Sequence, residues 1–279
     1  MGKIFNALER HKKESSIMTE YLVNKHSEGL IPHKDELALA RKITRESNYN
    51  HKLVTLSAPG SVDAENFKLL RAKILFPKNG SRPRTMMITS AFPGEGKTFI
   101  AANLAVSIAL GINEHVLLVD CDLRRPSLHN ILGYSNREGL HEYLTGKKQL
   151  ADLIIRTKVE KLSFLTAGSS PSNPSELLSS AMMKDFISKT AGGSQDRFVI
   201  IDAPPAQIMS ETSVLSNYVD GIIFVIMAGM APRQTIQKTL ETLGNKKVLG
   251  IVLNGYTKSY KSYHKYYGNY YSSKQEALT

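Results

Sequence analysis

Between residues 85 and 110 the chain passes from an aliphatic run through Ser90-Ala91-Phe92-Pro93-Gly94-Glu95-Gly96-Lys97-Thr98 into the apolar stretch FIAANLAVSIAL. No other segment restricts the fold so tightly. The loop departs from G-x-x-x-x-G-K-[ST] only at its first position, where Ala91 stands. Gly94 and Gly96 let successive backbone N–H groups point inward as an anion nest, and the helix that follows brings the positive end of its dipole to the same place. Pro93, Gly94, Glu95, Gly96, Lys97, Thr98 and Phe99 are therefore expected to hold a nucleotide, with Lys97 on the β and γ phosphates and the Thr98 hydroxyl on Mg²⁺.

The rest of the chain continues the pattern that this loop begins. Aliphatic runs at 86–89, 116–119, 162–165, 198–201, 222–226 and 248–253 alternate with helix-like stretches at 98–110, 128–132, 174–190, 211–217 and 233–243. Near-continuous apolar strands separated by helices call for a parallel sheet covered on both faces. The expected fold class is α/β, a doubly wound, mainly parallel sheet of the P-loop NTPase type with helices on both faces. Residues 64–74 add a helix ahead of it, with Phe67, Leu70 and Ile74 on one stripe. Residues 1–56 are expected to form an N-terminal extension, partly helical or flexible, 57–255 the P-loop domain, and 256–279 a flexible tail.

Two further strands end in carboxylates. One reads Val116-Leu117-Leu118-Val119-Asp120-Cys121-Asp122-Leu123-Arg124-Arg125-Pro126 and another Phe198-Val199-Ile200-Ile201-Asp202-Ala203-Pro204-Pro205, a Walker B pattern. Ligands of open parallel sheets bind beyond the carboxyl ends of the strands, so Asp120, Asp122 and Asp202 should meet the nucleotide loop. A hard cation takes one or two protein carboxylates alongside phosphate oxygens, which Asp202 and one of the Asp120/Asp122 pair can supply. The remaining carboxylate is then left as a base. Cys121 is most simply a buried strand-end residue.

Charge and hydropathy narrow the class further. The formal net charge is +11, yet residues 99–255 hold 15 basic against 14 acidic side chains, so the excess lies in the flanking segments. Dispersed flanking charge fits either loose contact with a membrane surface or an acidic partner, or solubility alone, rather than a nucleic-acid groove, and no nucleic acid is expected. No apolar run approaches the ~20 residues of a transmembrane helix. The opening MGKIFNALERHKKE lacks the apolar centre of a secretory signal, and the single cysteine fits a reducing compartment, so a cytoplasmic location is expected.

With these residues in view the chain resembles the bacterial tyrosine autokinases of exopolysaccharide and capsule synthesis, whose cytoplasmic domain is related to the MinD and ParA ATPases. The resemblance runs over about residues 57–271. It rests on SAFPGEGKT, LLVDCDLRRPSLH, the stretch TAGSSPSNPSELLSS from Thr166 to Ser180, VIIDAPP, IVLNGY and a tyrosine-rich end, and the opening GKIFNALE is similar too. MinD and ParA proteins carry a signature lysine four residues before the glycine of Gly-Lys-Thr; Phe92 stands there in this chain. Seven of the 12 tyrosines, Tyr256, Tyr260, Tyr263, Tyr266, Tyr267, Tyr270 and Tyr271, crowd into 16 residues, interleaved with Lys258, Lys261, His264 and Lys265. Tyrosine without Phe or Trp points to the hydroxyl as the feature in use, so these residues are the expected phosphoacceptors.

The resemblance implies ATP and Mg²⁺ as cofactors and phosphoryl transfer to a tail tyrosine of a neighbouring subunit. Asp120 is assigned as the group that takes the phenol proton, Asp122 and Asp202 to the Mg²⁺ shell with Thr98, and Asn254 to the adenine. Glu65, Lys68 and Arg71 stand where the family has its oligomer motif Glu-x-x-Arg-x-x-Arg, which implies a homo-oligomeric ring, although Lys cannot reproduce the bidentate fork of Arg. Where relatives often carry Asp after the Walker B strand, this chain reads Ser210-Glu211-Thr212. The implied partners are a transmembrane polysaccharide co-polymerase acting as activator from a separate chain, which recruits the kinase to the inner face of the membrane, and an opposing tyrosine phosphatase. The rival reading is a MinD/ParA-like ATPase that uses the nucleotide only to switch shape as a positioning or scaffold protein.

Overall fold

The structure, a computed structural model, describes residues 49–256 apart from 79, 193–195 and 245–246. Seven strands form one sheet: β1 (Thr85–Ser90), β2 (His115–Asp120), β3 (Ile155–Arg156), β4 (Leu162–Leu165), β5 (Arg197–Asp202), β6 (Gly221–Met227) and β7 (Val248–Asn254). Their order is β3-β4-β2-β5-β1-β6-β7. Every pairing is parallel except that of β3 with β4. The expected doubly wound α/β sheet is therefore what this sequence forms.

Alternate residues of the central strands feed two cores. Met86, Ile88, Leu118, Phe198 and Ile200 face the side covered by α1 (Val54–Ser57), α2 (Val62–Leu75), α3 (Lys97–Ala109) and α4 (Leu128–Leu132). Met87, Val119, Val199, Ile201 and Phe224 face the opposite side. That side is covered by α5 (Leu140–Leu144), α6 (Leu150–Leu153), α7 (Pro174–Leu178), α8 (Ala181–Ala191), α9 (Ser210–Ser216) and α10 (Arg233–Leu243). All six residues of β1 are buried, as a strand covered on both faces requires. Helix α3 is buried from Ile100 to Ala109, and its alanines let it lie close against the sheet. Each Ile or Leu it buries contributes about 1.5–3 kcal/mol.

Three features differ from the sequence reading. The stretch 174–190 is two helices, because the Ser180 side chain accepts a hydrogen bond from Met183 N and starts a new helix after the first has ended at Ser179. α5, α6 and β3 are each too short to show a period, and none was expected. The boundary at 56/57 falls inside α1, and Leu53 is fully buried. Asn103, a buried polar residue within α3, draws this segment onto the domain: its Oδ1 accepts from Thr55 N and Oγ1, and its Nδ2 donates to Lys52 O. The packed domain thus extends back to Tyr49, whose hydroxyl accepts from Lys158 N.

Candidate active site

The strand order puts β5 between β1 and β2, so the loop after β1 and the ends of β2 and β5 share one edge. In the loop Gly94 and Gly96 adopt φ of 86° and 92°, left-handed values that suit glycine. A Cβ on Gly96 would also collide with the Asn254 side chain. Gly96 caps α3, whose first residues are Lys97 and Thr98, so free N–H groups and the helix dipole face the place where phosphates would sit. Pro93 has no N–H to offer there and serves to shape the turn.

Glu95 turns inward. Its carboxylate is fully buried and accepts from Phe92 N at 2.7 Å and Met227 N at 3.3 Å, tying the loop to the end of β6. Its carbonyl accepts from Asn254 Nδ2 at 3.0 Å, which ties the loop to β7 as well. Of the residues expected to hold the nucleotide, Glu95 thus offers backbone only, and Asn254 braces the loop from the position expected to meet adenine.

The three aspartates converge, each in different company. Asp120 and Asp202 are register partners on adjacent strands, and both are completely buried. Asp120 meets three backbone donors: Oδ1 accepts from Asp122 N, and Oδ2 accepts from Ser127 N and Leu128 N, capping α4. Burial, reinforced by the charge of Asp202, pushes its carboxyl well above the usual carboxylate range against the pull of these donors. Asp122 accepts from Arg125 N and from Lys97 Nζ at 2.9 Å. Neither oxygen of Asp202 has a partner in hydrogen-bond geometry. Burial pushes this carboxyl up to about 6, although the nearby Lys97 charge and Thr98 hydroxyl hold it down.

Lys97 is the counter-charge for all three. Burial alone would lower its pKa, but Asp202, Asp122 and Asp120 together hold it above the usual value, so the ammonium is secure. Thr98 Oγ1 accepts from Ser127 Oγ at 3.1 Å, which joins the loop to the segment after β2. Cys121 lies buried between two of the aspartates, and burial followed by their charges pushes its thiol well up. Two orphaned carboxylate oxygens beside a threonine hydroxyl and a lysine fit a hard cation that brings its own phosphate and water oxygens.

Some site contacts were not legible beforehand. Glu211, buried at the start of α9, accepts from Arg124 Nε at 2.9 Å, and Arg124 also donates to Ser175 Oγ. Arg124 therefore links the segment after β2 to α9 and to the 166–180 stretch. Ser127 contributes both its N–H and its hydroxyl. The signals were the run DLRRPS and the carboxylate of Glu211, but the pairing spans 87 residues.

The model of the CobQ/CobB/MinD/ParA nucleotide binding domain matches residues 86–277. The tyrosine-protein kinase YwqD of Bacillus subtilis is 35% identical over 232 residues, covering 82% of this chain and 97% of that protein. The chain belongs to the bacterial tyrosine-protein kinases. Among solved structures, the chimerical protein CapA2B2 superposes with a TM-score of 0.69 at 32% identity, covering 80% of this kinase and all of that chain. The kinase domain of Escherichia coli ETK gives 0.67 at 27% identity, covering 85% of this chain and 86% of that one.

The remaining expected positions are on α2 and in the tail. On α2, Glu65 and Lys68 pair with each other at 2.6 Å, and Arg71 donates to Ser107 O at 2.7 Å, so the three engage within their own chain. Tyr256 is exposed two residues after β7. Tyr260, Tyr263, Tyr266, Tyr267, Tyr270 and Tyr271 lie outside the described residues, as does the extension up to residue 48. Among the described residues no helix is long and apolar enough to cross a membrane.

Proposed function

We propose that this tyrosine kinase transfers the γ-phosphoryl group of ATP to the tyrosines of its own tail, in trans, within a homo-oligomer. The observation that carries the reading is the pair of buried, unpartnered oxygens of Asp202 next to Lys97 and Thr98. Thr98, Asp202 and Asp122 would hold Mg²⁺, which supplies charge neutralisation across the β and γ phosphates when bound.

The chain's own residues do the rest. Loop N–H groups and the start of α3 bind the phosphates of ATP, and Lys97 exchanges its partner Asp122 for the β and γ oxygens, releasing that carboxylate. The phenol oxygen of a tail tyrosine attacks the γ phosphorus. The new O–P bond forms as the bond to the β–γ bridging oxygen breaks, and ADP leaves. A phenol of pKa near ~10 must lose its proton. Asp120 takes it at Oδ1, which accepts one backbone N–H and keeps a lone pair. Asn254, at the end of β7, meets the adenine while bracing the loop.

The reading places the kinase at the cytoplasmic face of the membrane, recruited and activated by a transmembrane co-polymerase in a separate chain, reset by a tyrosine phosphatase, and serving exopolysaccharide or capsule synthesis and export. Phosphopeptide mass spectrometry after incubation with Mg²⁺ and ATP is the test. A Lys97→Met chain with an intact tail, mixed with an active chain whose tail tyrosines are Phe, should acquire phosphotyrosine between residues 256 and 271. An unlabelled inactive chain, in a buffer where the unmodified kinase labels itself, refutes transfer in trans.

A further inference from the structure

At the opposite edge of the sheet, where the strands begin, two loops carry apolar side chains into solvent. Phe76 at the end of α2 is 78% exposed, and Leu110 and Ile112 after α3 are 53% and 90% exposed. The loops belong to one surface. Arg71 of α2 reaches Ser107 O near the end of α3, and Arg82 NH2 meets Glu114 Oε1 at 3.1 Å, joining the segment before β1 to the segment before β2. Lys161, at the start of β4, donates to the carbonyls of Gly111 and Ile112, which fixes Ile112 at the tip of its turn.

Cations surround these side chains. Lys73 and Lys78 are exposed on either side of Phe76, Arg82 and Arg84 follow on the same segment, and Lys161 lies under Ile112. The acidic groups on this surface are Glu114 and Asp196, both facing Arg82, Asp220, which accepts from Arg84 N and Thr85 N, and the exposed Glu160 beside Lys161, so the lysines Lys73, Lys78 and Lys161 carry its positive charge. Aromatic and aliphatic side chains held out on turns, inside a collar of lysine and arginine, are what an interface with anionic lipid requires: the apolar groups enter the acyl boundary and each cation near the surface adds about 1 kcal/mol.

We propose that this edge, with Phe76, Leu110 and Ile112 inserting and Lys73, Lys78 and Lys161 on the headgroups, binds an anionic bilayer surface directly. The lipid contact is separate from recruitment by any protein partner. It turns the phosphate-loop edge and the root of the tail away from the bilayer, so docking leaves both open to a neighbouring subunit.

The test is co-sedimentation of the full chain with vesicles of phosphatidylglycerol and phosphatidylcholine, beside vesicles of phosphatidylcholine alone. The full chain should partition onto the anionic vesicles and not the neutral ones, and less so as salt rises. The Phe76→Ser/Ile112→Ser variant should lose binding about tenfold or more. Lys73→Glu/Lys78→Glu, which alters only exposed charges, should lose it to a similar degree, and it keeps the test valid if the first variant fails to fold. Kinase activity on a soluble tyrosine peptide should be unchanged in both, since none of these residues belongs to the nucleotide edge. Absence of binding by the full chain, or equal binding by the full chain and both variants, overturns the proposal. A variant that changes the size of the oligomer, or the protease sensitivity of residues 1–48, with lipid binding intact, overturns it in favour of a second copy or the N-terminal segment as occupant.

Discussion

The ends of β2 and β5 sit side by side in the sheet, each terminating in a wholly buried aspartate, and the two have opposite surroundings. Asp120 is met by three backbone N–H groups, while Asp202 is met by none. Both carboxyls are raised by burial, but backbone donors oppose the rise at Asp120, whereas the Lys97 charge and the Thr98 hydroxyl oppose it at Asp202. Asp120 earns part of its place by shaping the segment that leads into α4. Asp202 supports the buried Lys97 ammonium by charge alone, and no backbone group satisfies its oxygens, so an incoming cation would find them free.

The contrast can be broken at several points. The largest effect should come from Lys97→Met, which removes the counter-charge shared by both carboxylates: tail phosphorylation should fall about 10³-fold, while circular dichroism still reports a folded chain. Retained phosphotyrosine would unseat the site. Next in size, Asp202→Asn should lower transfer about 10²-fold.

Asp202→Asn should also make the nucleotide-free protein more stable. The native carboxyl titrates at about 6, above its unfolded value of 3.8, so the native state holds the proton more tightly and wild-type stability falls as pH rises between these values. The variant should therefore be more stable than wild type above pH 6, by roughly 3 kcal/mol, with the gap closing as pH falls towards 4. A gap independent of pH would show that Asp202 is not the strained group.

Asp120→Asn sharpens the comparison from the other side. An amide cannot accept from all three N–H groups, and leaving one buried costs about 1–3 kcal/mol. This variant should melt below Asp202→Asn at neutral pH, and equal melting temperatures would dissolve the distinction between the two strand ends. The smallest effect belongs to Asn254→Ala, which removes the brace on Glu95 O. It should raise KM for ATP about three- to tenfold with kcat little changed, and an unchanged KM would leave Asn254 without a role in the loop.

Much of this was readable from residue order because it depends on local patterning. The β1 loop, the two Asp-terminated strands and the alternation of strands and helices each declare themselves within about a dozen residues. Contacts that close over longer spans did not declare themselves. Arg124 with Glu211, Asn103 with the 50–55 segment and the inward turn of Glu95 follow from how the elements pack. The break at Ser179-Ser180 was in the letters, but a serine both ends and begins helices, and only the Ser180 cap decides which. The α2 motif was recognisable as a pattern, but the contact of Arg71 with Ser107 O in α3 was not.

Cys121 occupies the position between the two aspartates of the β2 motif, where many enzymes could ill tolerate a reactive group. Disulfide exchange, sulfenic acid formation and alkylation all begin from the thiolate. Burial and three carboxylates keep that form scarce. This edge of the sheet therefore contains a sulfur that is both buried and held as the thiol. Oxidants and thiol reagents that disable exposed cysteines should pass this kinase by for as long as it stays folded, which makes the rate of Cys121 labelling a direct clock for opening of the β2–β5 edge.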